Sequence, residues 1–90
     1  RPDCRVWRHN TGRLLNPKSG RWVAFGLKGS ADILGILRGG RFLAIETKAA
    51  RGQLRPEQQA FRAMVESFDG VYIVARSVSD AVEGVNHALA

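Results

Sequence analysis

The stretch Arg41–Phe61, RFLAIETKAARGQLRPEQQAF, places two charges of opposite sign at the end of an apolar run. Its first eight residues predict a strand, and alternation puts four side chains on one face: Phe42, Ala44, Glu46 and Lys48. The other face then carries Leu43, Ile45 and Thr47. A buried carboxylate needs an amine, a hydrogen-bond donor or a metal ion as its partner. Glu46 and Lys48 are therefore either a structural ion pair or part of a functional site.

A third charged side chain is expected beside this pair. DILGIL (Asp32–Leu37) predicts a strand, and the following RGG is a hairpin signal. In an antiparallel hairpin the start of one strand lies beside the end of the next, so Asp32 approaches Glu46. Two carboxylates can hold a hard divalent cation, and Lys48 beside them can orient a water or stabilise developing negative charge.

The length of the hairpin loop decides whether the two carboxylates share a face of the sheet. A two-residue turn at Gly39-Gly40 would set Asp32 opposite Thr47, on the other face from Glu46. A three-residue loop, Arg38-Gly39-Gly40, would set Asp32 opposite Glu46, and a bulge near Asp32 would serve as well. A shared metal site therefore predicts an odd loop or a bulge.

Two strands are expected before this hairpin and one after it. CRVWRHN (Cys4–Asn10) alternates apolar residues, and RWVAF (Arg21–Phe25) is a second short strand. Thr11–Gly20 is rich in turn residues and is expected to be a loop or hairpin tip. The continuous apolar run Val71–Ala75 is typical of a strand covered on both faces.

Two helices complete the predicted order, β-β-β-β-α-β-α. Pro56 suits a first helical turn, and an apolar face follows at helical spacing: Phe61, Met64, Val65 and Phe68. Ser77 with Asp80 resembles a capping box before a second helix. The apolar face of that helix is expected to hold Val78, Ala81, Val82, Val85 and Leu89. The pattern predicts an α/β fold with a mixed sheet of about five strands flanked by helices.

Length and composition predict one domain, residues 1–90, with a modest core. A single cysteine, Cys4, excludes an internal disulfide framework, and no apolar run reaches the ~20 residues of a membrane span. We therefore expect a soluble, cytoplasmic protein with no membrane partner.

The charge balance is basic. Fourteen Lys and Arg against eight Asp and Glu give a net charge of +6, and eleven of the bases lie in the first 51 residues. Such an excess indicates either a polyanionic partner, nucleic acid above all, or a solvated basic surface.

The ordered residues resemble a known nuclease superfamily. G-x-x-D (Gly29–Asp32), a hairpin, E-x-K (Glu46–Lys48) and a helix with a glutamine are similar to the PD-(D/E)XK nucleases. More closely, WRHNTGR, GSADILGI, FLAIETK, GQLRPEQQAF and GVYIVARS resemble successive blocks of the VRR-NUC (virus-type replication-repair nuclease) family. The resemblance runs from about Val6 to the C-terminal helix and implies a restriction-endonuclease-like core.

The resemblance also implies the site. Asp32, Glu46 and the backbone carbonyl of Thr47 would hold Mg²⁺ or Mn²⁺, and Lys48 would be the catalytic lysine. Gln58 would be the helix glutamine near the site, since it lies at the edge of the helix's apolar stripe while Gln59 points roughly 100° away. The alternative for Gln58 is a polar surface residue.

The activity implied is hydrolysis of DNA phosphodiester bonds by an endonuclease acting on duplex, branched or Holliday-junction-like DNA, in DNA repair. Standalone relatives imply a homodimer, in a bacterial or phage-infected cell. The alternative from another class is a non-catalytic basic DNA-binding module whose Asp, Glu and Lys form a structural ion-pair cluster. An RNA nuclease is a third interpretation.

Further residues are candidates for contact with a DNA backbone. They are Arg8, His9, Asn10, Arg13, Lys18, Lys28 and Arg51. Trp7 is expected in the core, with base stacking as its alternative. His9 and His87 stand alone, without metal-ligand spacing, and Cys4 has no recognisable catalytic partner.

The start of the sequence departs from the family pattern. Relatives usually begin with a helix whose glutamate reaches the metal, whereas this sequence opens at RPDCRVW, directly before the first strand. The only acid before Asp32 is Asp3, so the sequence is expected to lack the helix or to have lost it by trimming.

Overall fold

The structure is a computed structural model that describes residues 1–9, 12–25 and 27–90, and for residues 12–14 and 22–25 the backbone alone. In these residues the chain forms six strands and two helices. They are β1 (Cys4–Arg8), β2 (Gly12–Leu15), β3 (Trp22–Phe25), β4 (Ile33–Leu37), β5 (Phe42–Thr47), α1 (Pro56–Ser67), β6 (Val71–Ala75) and α2 (Val78–Leu89). No helix in the described ranges is long and apolar enough to cross a bilayer.

The main sheet is mixed and has four strands in the order β1-β4-β5-β6. β1, β4 and β5 are antiparallel neighbours, and β6 runs parallel to β5 after the crossover through α1. The expected mixed sheet flanked by helices is confirmed. The expected count of about five strands is wrong for this sheet, because β3 pairs elsewhere.

β3 pairs with β2 in a separate two-stranded antiparallel sheet. Of the two expectations for Thr11–Gly20, a loop or a hairpin tip, the hairpin tip is confirmed at Asn16–Gly20, whereas Gly12–Leu15 is a strand and Thr11 lies outside the described residues. The N–H of Asn16 donates to the carbonyl of Arg21 over 2.7 Å, and this closes the hairpin. Gly12–Leu15 is a strand because it pairs with β3, although the segment around it is rich in turn residues.

The hairpin between β4 and β5 has the odd loop that a shared site requires. Leu37 donates its N–H to the carbonyl of Arg41 over 2.9 Å, so three residues form the loop. Gly39 and Gly40 both have positive φ, +96° and +92°, which only glycine adopts at low cost. The observed pairing of Ile33 with Ile45 extends by one residue to set Asp32 opposite Glu46.

The two faces of the sheet carry two separate apolar clusters, as the alternation along β5 predicts. The α2 side buries Leu37, Leu43, Ile45, Ile73, Ala75 and Val85. The α1 side buries Ala31, Ala44, Phe61, Val65 and Tyr72. Glu46 belongs to the same face as Ala44 and lies under the first turn of α1.

The apolar stripe of α1 is only partly buried. Phe61 and Val65 enter the core, but Met64 is exposed and Phe68, just after the last helical residue, is 81% exposed. The predicted apolar face is therefore buried at two of its four positions. The outer half of the stripe, Met64 and Phe68, borders an open apolar cavity that Leu34 and Phe42 also line.

The second helix begins as predicted. Ser77 is its N-cap, and its Oγ accepts a hydrogen bond from the N–H of Asp80 over 3.1 Å. The carboxylate of Asp80 accepts from the N–H of Arg76 over 2.8 Å. Val85 is buried, whereas Val78 and Val82 are exposed, which corrects the predicted apolar face.

Trp7 is 49% exposed, so its expected place in the core is wrong. β1 is the edge strand of the sheet, on the far side from β6, against which α1 packs. The face of the sheet above β1 is therefore not covered by α1.

Candidate active site at the end of β4 and β5

The loop before Asp32 packs directly against the start of α1. Gly29 has a φ of +79°, and a Cβ at this position would lie 2.2 Å from the carbonyl oxygen of Glu57. No side chain larger than hydrogen fits between these two backbones. The contact brings the segment that leads into Asp32 beside the helical turn that carries Gln58.

Glu46 lies at the centre of the site and is only 4% exposed. Its Oε1 accepts a hydrogen bond from Nε2 of Gln58 over 2.9 Å, and its Oε2 accepts from the N–H of Asp32 over 3.3 Å. The Nζ of Lys48 lies 4.0 Å from Oε1. The carboxylate is therefore held by two donors, with the amine at the limit of an ion pair.

Gln58 joins the helix to this carboxylate. Its Oε1 accepts from the N–H of Arg55, the N-cap residue, over 2.9 Å, and this leaves Nε2 to donate to Glu46. Gln58 is 4% exposed, so the alternative of a polar surface residue is wrong. Gln59 is exposed and donates to the carbonyl of Leu54 over 3.1 Å, away from the site.

Asp32 is exposed and is oriented by Thr47. Its Oδ2 accepts from the Oγ1 hydroxyl of Thr47 over 2.6 Å and from the N–H of Thr47 over 3.2 Å. One oxygen of Asp32 is thus directed to the end of β5, while the backbone N–H of the same residue contacts Glu46. Both candidate acids therefore lie where β4 begins and β5 ends.

The electrostatics of the site disfavour two negative charges. Burial raises the pKa of Glu46 above its ordinary value, and the charge of Asp32 raises it further. The N–H of Asp32 and the cations Lys48 and Arg55 oppose these effects without cancelling them. A cation bound between the carboxylates would relieve this repulsion.

A buried tyrosine adjoins the acids. Tyr72 is 7% exposed, and its hydroxyl has no hydrogen-bond partner among the described residues. Burial, followed by the charge of Glu46, raises the pKa of Tyr72 to about 12. Its ring packs edge-on to Phe61 at 6.3 Å, and the guanidinium of Arg62 lies 5.5 Å from the ring centre.

The donor set fits a hard divalent cation with few protein ligands. Within the described residues, no group of three or more His, Cys, Asp and Glu side chains could hold a metal ion. Two carboxylates and one carbonyl remain, from Asp32, Glu46 and Thr47. Mg²⁺ is commonly bound through one or two carboxylates and keeps several waters, so this set suffices for it.

The predicted DNA contacts all belong to the basic first 51 residues of the chain. Arg8 lines a cavity of about 390 Å³ with Asp32 and Thr47. Lys18, Lys28 and Arg51 are exposed. Asn10 and the side chain of Arg13 lie outside the described residues.

The sequence indicated His9 only as one of several candidates for contact with a phosphate backbone, and the structure places it beside Asp32. Its N–H donates to the carbonyl of Asp32 over 2.8 Å, which extends the pairing of β1 with β4 and sets the two residues side by side. His9 lines the same cavity as Arg8, Asp32 and Thr47, and it also lines an apolar cavity with Leu34, Phe42 and Phe61. In the sequence, only the alternation of β1 bears on where His9 lies. Its position beside Asp32 depends on the register of β1 with β4, which spacing in the sequence does not reveal.

No protein-family model matches the chain, and neither the curated proteins nor the solved structures include a significant match to it.

Proposed function

We propose that this protein is a metal-dependent endonuclease that hydrolyses phosphodiester bonds in DNA. The observation that carries the proposal is the environment of Glu46. It is a buried carboxylate with a raised pKa, tied to a helix glutamine and set opposite a second acid at an open edge of the sheet. A polar cluster this costly to bury is typical of functional sites.

In this proposal Asp32, Glu46 and the carbonyl of Thr47 hold Mg²⁺ or Mn²⁺. The ion would polarise a phosphoryl oxygen and lower the pKa of a bound water. Gln58 keeps the carboxylate of Glu46 in one orientation through its 2.9 Å hydrogen bond. Lys48, half-buried beside Glu46, would orient the attacking water or stabilise charge at phosphorus.

The substrate class is inferred from charge and from the resemblance. The net charge of +6, with exposed Arg8, Lys18, Lys28 and Arg51, suits the phosphates of DNA. Preference for branched or junction DNA, and action as a homodimer, follow from the resemblance alone. Sedimentation with and without four-way junction DNA would measure the number of copies bound.

The alternative, a DNA-binding module with a structural ion-pair cluster, has less support. Lys48 lies 4.0 Å from Glu46, at the outer limit for an ion pair. The pKa of Glu46 stays raised although Lys48 is beside it, so the amine does not neutralise the carboxylate's unfavourable burial. An ion pair serving stability would lower that pKa.

The proposal is tested with three variants, Asp32→Asn, Glu46→Gln and Lys48→Ala. Cleavage of duplex and four-way junction DNA is measured with Mg²⁺ or Mn²⁺, and DNA binding and thermal unfolding are measured on the same samples. We expect the two acid variants to lose cleavage and to keep DNA binding. Lys48→Ala should lose about 10²–10³ in rate, as for removal of one electrostatic stabiliser.

The matched control is Gln59→Ala, which changes an exposed side chain one position from Gln58. It should cleave like the parent protein. Folded Asp32→Asn and Glu46→Gln variants that still cut DNA would end the assignment at these residues. Metal-independent, salt-sensitive DNA binding without cleavage by the parent protein would favour the binding module instead.

A further inference from the structure

We propose that His9 is a substrate-binding residue, whose imidazole donates a hydrogen bond to a phosphate of DNA held beside Arg8. The inference rests on the proposed function in that the phosphate belongs to the nuclease substrate. The sequence offers His9 only as a general phosphate-backbone candidate, and the inference assigns it to the phosphate at the candidate metal site.

The register of the sheet determines the placement of His9. The pairing of β1 with β4 runs to Arg8 opposite Ile33, and the 2.8 Å bond from His9 N–H to the carbonyl of Asp32 continues it. Residues directly opposite in an antiparallel pair carry their side chains on the same face, with Cβ atoms about 5 Å apart. His9, Asp32 and Glu46 therefore form one row across three neighbouring strands.

The cavity at this edge fits a phosphate group. It has a volume of about 390 Å³ and is lined by Arg8, His9, Asp32, Ile33 and Thr47. A water occupies about 30 Å³ in the liquid, so the cavity has room for a phosphate together with several waters. Two of its lining residues, Asp32 and Thr47, are the candidate ligands of the metal.

Arg8 and His9 are adjacent at the end of β1, so their side chains leave the strand on opposite faces, and each can offer donors to a group bound at the strand ends. Imidazole keeps at least one N–H donor in its neutral form and two in its protonated form, so the contact does not depend on titration. Arg8 adds a permanent positive charge and several donors. Asp32 in the same cavity repels an anion, so we expect phosphate to enter only with a divalent cation.

The chain offers an internal control, because it contains two histidines. His87 lies on α2 and lines the groove between the two helices, with Glu83 and Arg62 rather than the candidate ligands. The imidazole signals of both histidines can be followed by NMR while a short DNA duplex is added to the intact protein in Ca²⁺, an oxygen-binding cation.

We expect the His9 signals to move with DNA in Ca²⁺ and to stay unchanged with DNA in a chelator. His87 should be unaffected in both conditions. His9→Ala should weaken DNA binding about ten-fold, as for loss of one hydrogen bond to a charged group, with His87→Ala unchanged. His9→Gln, which keeps a donor, should recover part of the affinity.

Unmoved His9 signals, or equal movement of both histidines, would overturn the inference. If cleavage still required Asp32 and Glu46 in that case, the proposed function would stand without this contact. If His9 moved while the parent protein cut no DNA, the phosphate contact would stand and the nuclease proposal would fail. A His9 variant that did not fold would leave the titration of the parent protein to decide.

Discussion

Gln58 donates from Nε2 to Oε1 of Glu46 over 2.9 Å and thereby ties the first turn of α1 to the end of β5. The same side chain accepts from the N–H of Arg55, so one amide caps the helix and holds the carboxylate. Gln58 and Glu46 are both buried, and each provides a hydrogen-bond partner for the other. The position of α1 and the orientation of the candidate catalytic acid are therefore coupled.

Replacing Gln58 by Ala should destabilise the protein by about 1–3 kcal/mol, because Glu46 and the N–H of Arg55 each lose a partner. The pKa of Glu46 should rise further, since a donor to its charged form is gone. Urea unfolding of Gln58→Ala and of the exposed control Gln59→Ala measures the difference. Equal stabilities would show that the bond contributes nothing to folding.

Glu46→Gln should change the pH dependence of stability in the absence of metal. The pKa of Glu46 is raised by folding from its ordinary value of 4.5, so the folded state binds more protons than the unfolded one. Stability is then lost as pH rises from about 4.5 through the folded pKa. The variant has no charge to bury, so its Tm should exceed that of the parent at pH 8 and not at pH 4.

A gain of about 1 kcal/mol would shift the Tm of a domain this size by roughly 4–8 °C. Differential scanning calorimetry in the presence of a chelator measures the Tm difference between Glu46→Gln and the parent protein. The control is Glu83→Gln, which changes an exposed carboxylate. A lower Tm for Glu46→Gln at pH 8 would instead support a stabilising ion pair with Lys48.

Divalent cations should stabilise the folded protein through Asp32 and Glu46. An ion that binds only the folded state at 100 times its Kd adds about 2.7 kcal/mol. The increase in Tm with Mn²⁺ should grow with pH, since a ligand must be ionised to bind. The increase in Tm should vanish in Asp32→Asn and Glu46→Gln but persist in Glu66→Gln, which changes an exposed carboxylate. An increase of equal size in the parent protein and all three variants would place the ion elsewhere.

Gly29→Ala should be much more damaging than Gly20→Ala. Both glycines have positive φ, +79° and +70°, so both substitutions carry the cost of a left-handed residue, about 1–2 kcal/mol. At Gly29 the new Cβ would meet the backbone of Glu57 at 2.2 Å, whereas at Gly20 nothing lies within 4 Å. We expect an additional loss of about 1–3 kcal/mol from overpacking. Chemical unfolding of both variants tests this, and equal losses would contradict the packed contact.

DNA binding should weaken steeply with salt through the bases in the first 51 residues. For duplex DNA, the slope of log affinity against log salt falls by roughly 0.9 for every phosphate that a variant no longer neutralises. Replacing Arg8, Arg13 and Lys28 together by Gln should flatten it, compared with a control variant that replaces the last three bases. Those control positions are Arg55, Arg62 and Arg76. Equal slopes in the two triple variants would show that the basic excess is not the binding surface.

Local pattern predicted the elements closest to the site well. The alternation in β5, Pro56 at the start of α1 and the pairing of Ser77 with Asp80 are all observed, because each depends on neighbours within a few residues. The three-residue loop was predicted by requiring Asp32 and Glu46 to share a face. Burial was predicted less well, as Trp7, Phe68 and Val78 show, since periodicity does not reveal which part of a face another element covers.

By itself the sequence determined the order of most elements, the apolar faces of β5, the basic excess and the candidates Asp32, Glu46, Lys48 and Gln58. Only the tertiary structure decided that β2 and β3 form their own sheet, and that His9 lies beside Asp32. It also decided that Gly29 contacts the backbone of α1. These relationships join residues far apart in the chain, and their geometry depends on strand register and helix position, which local propensity does not encode.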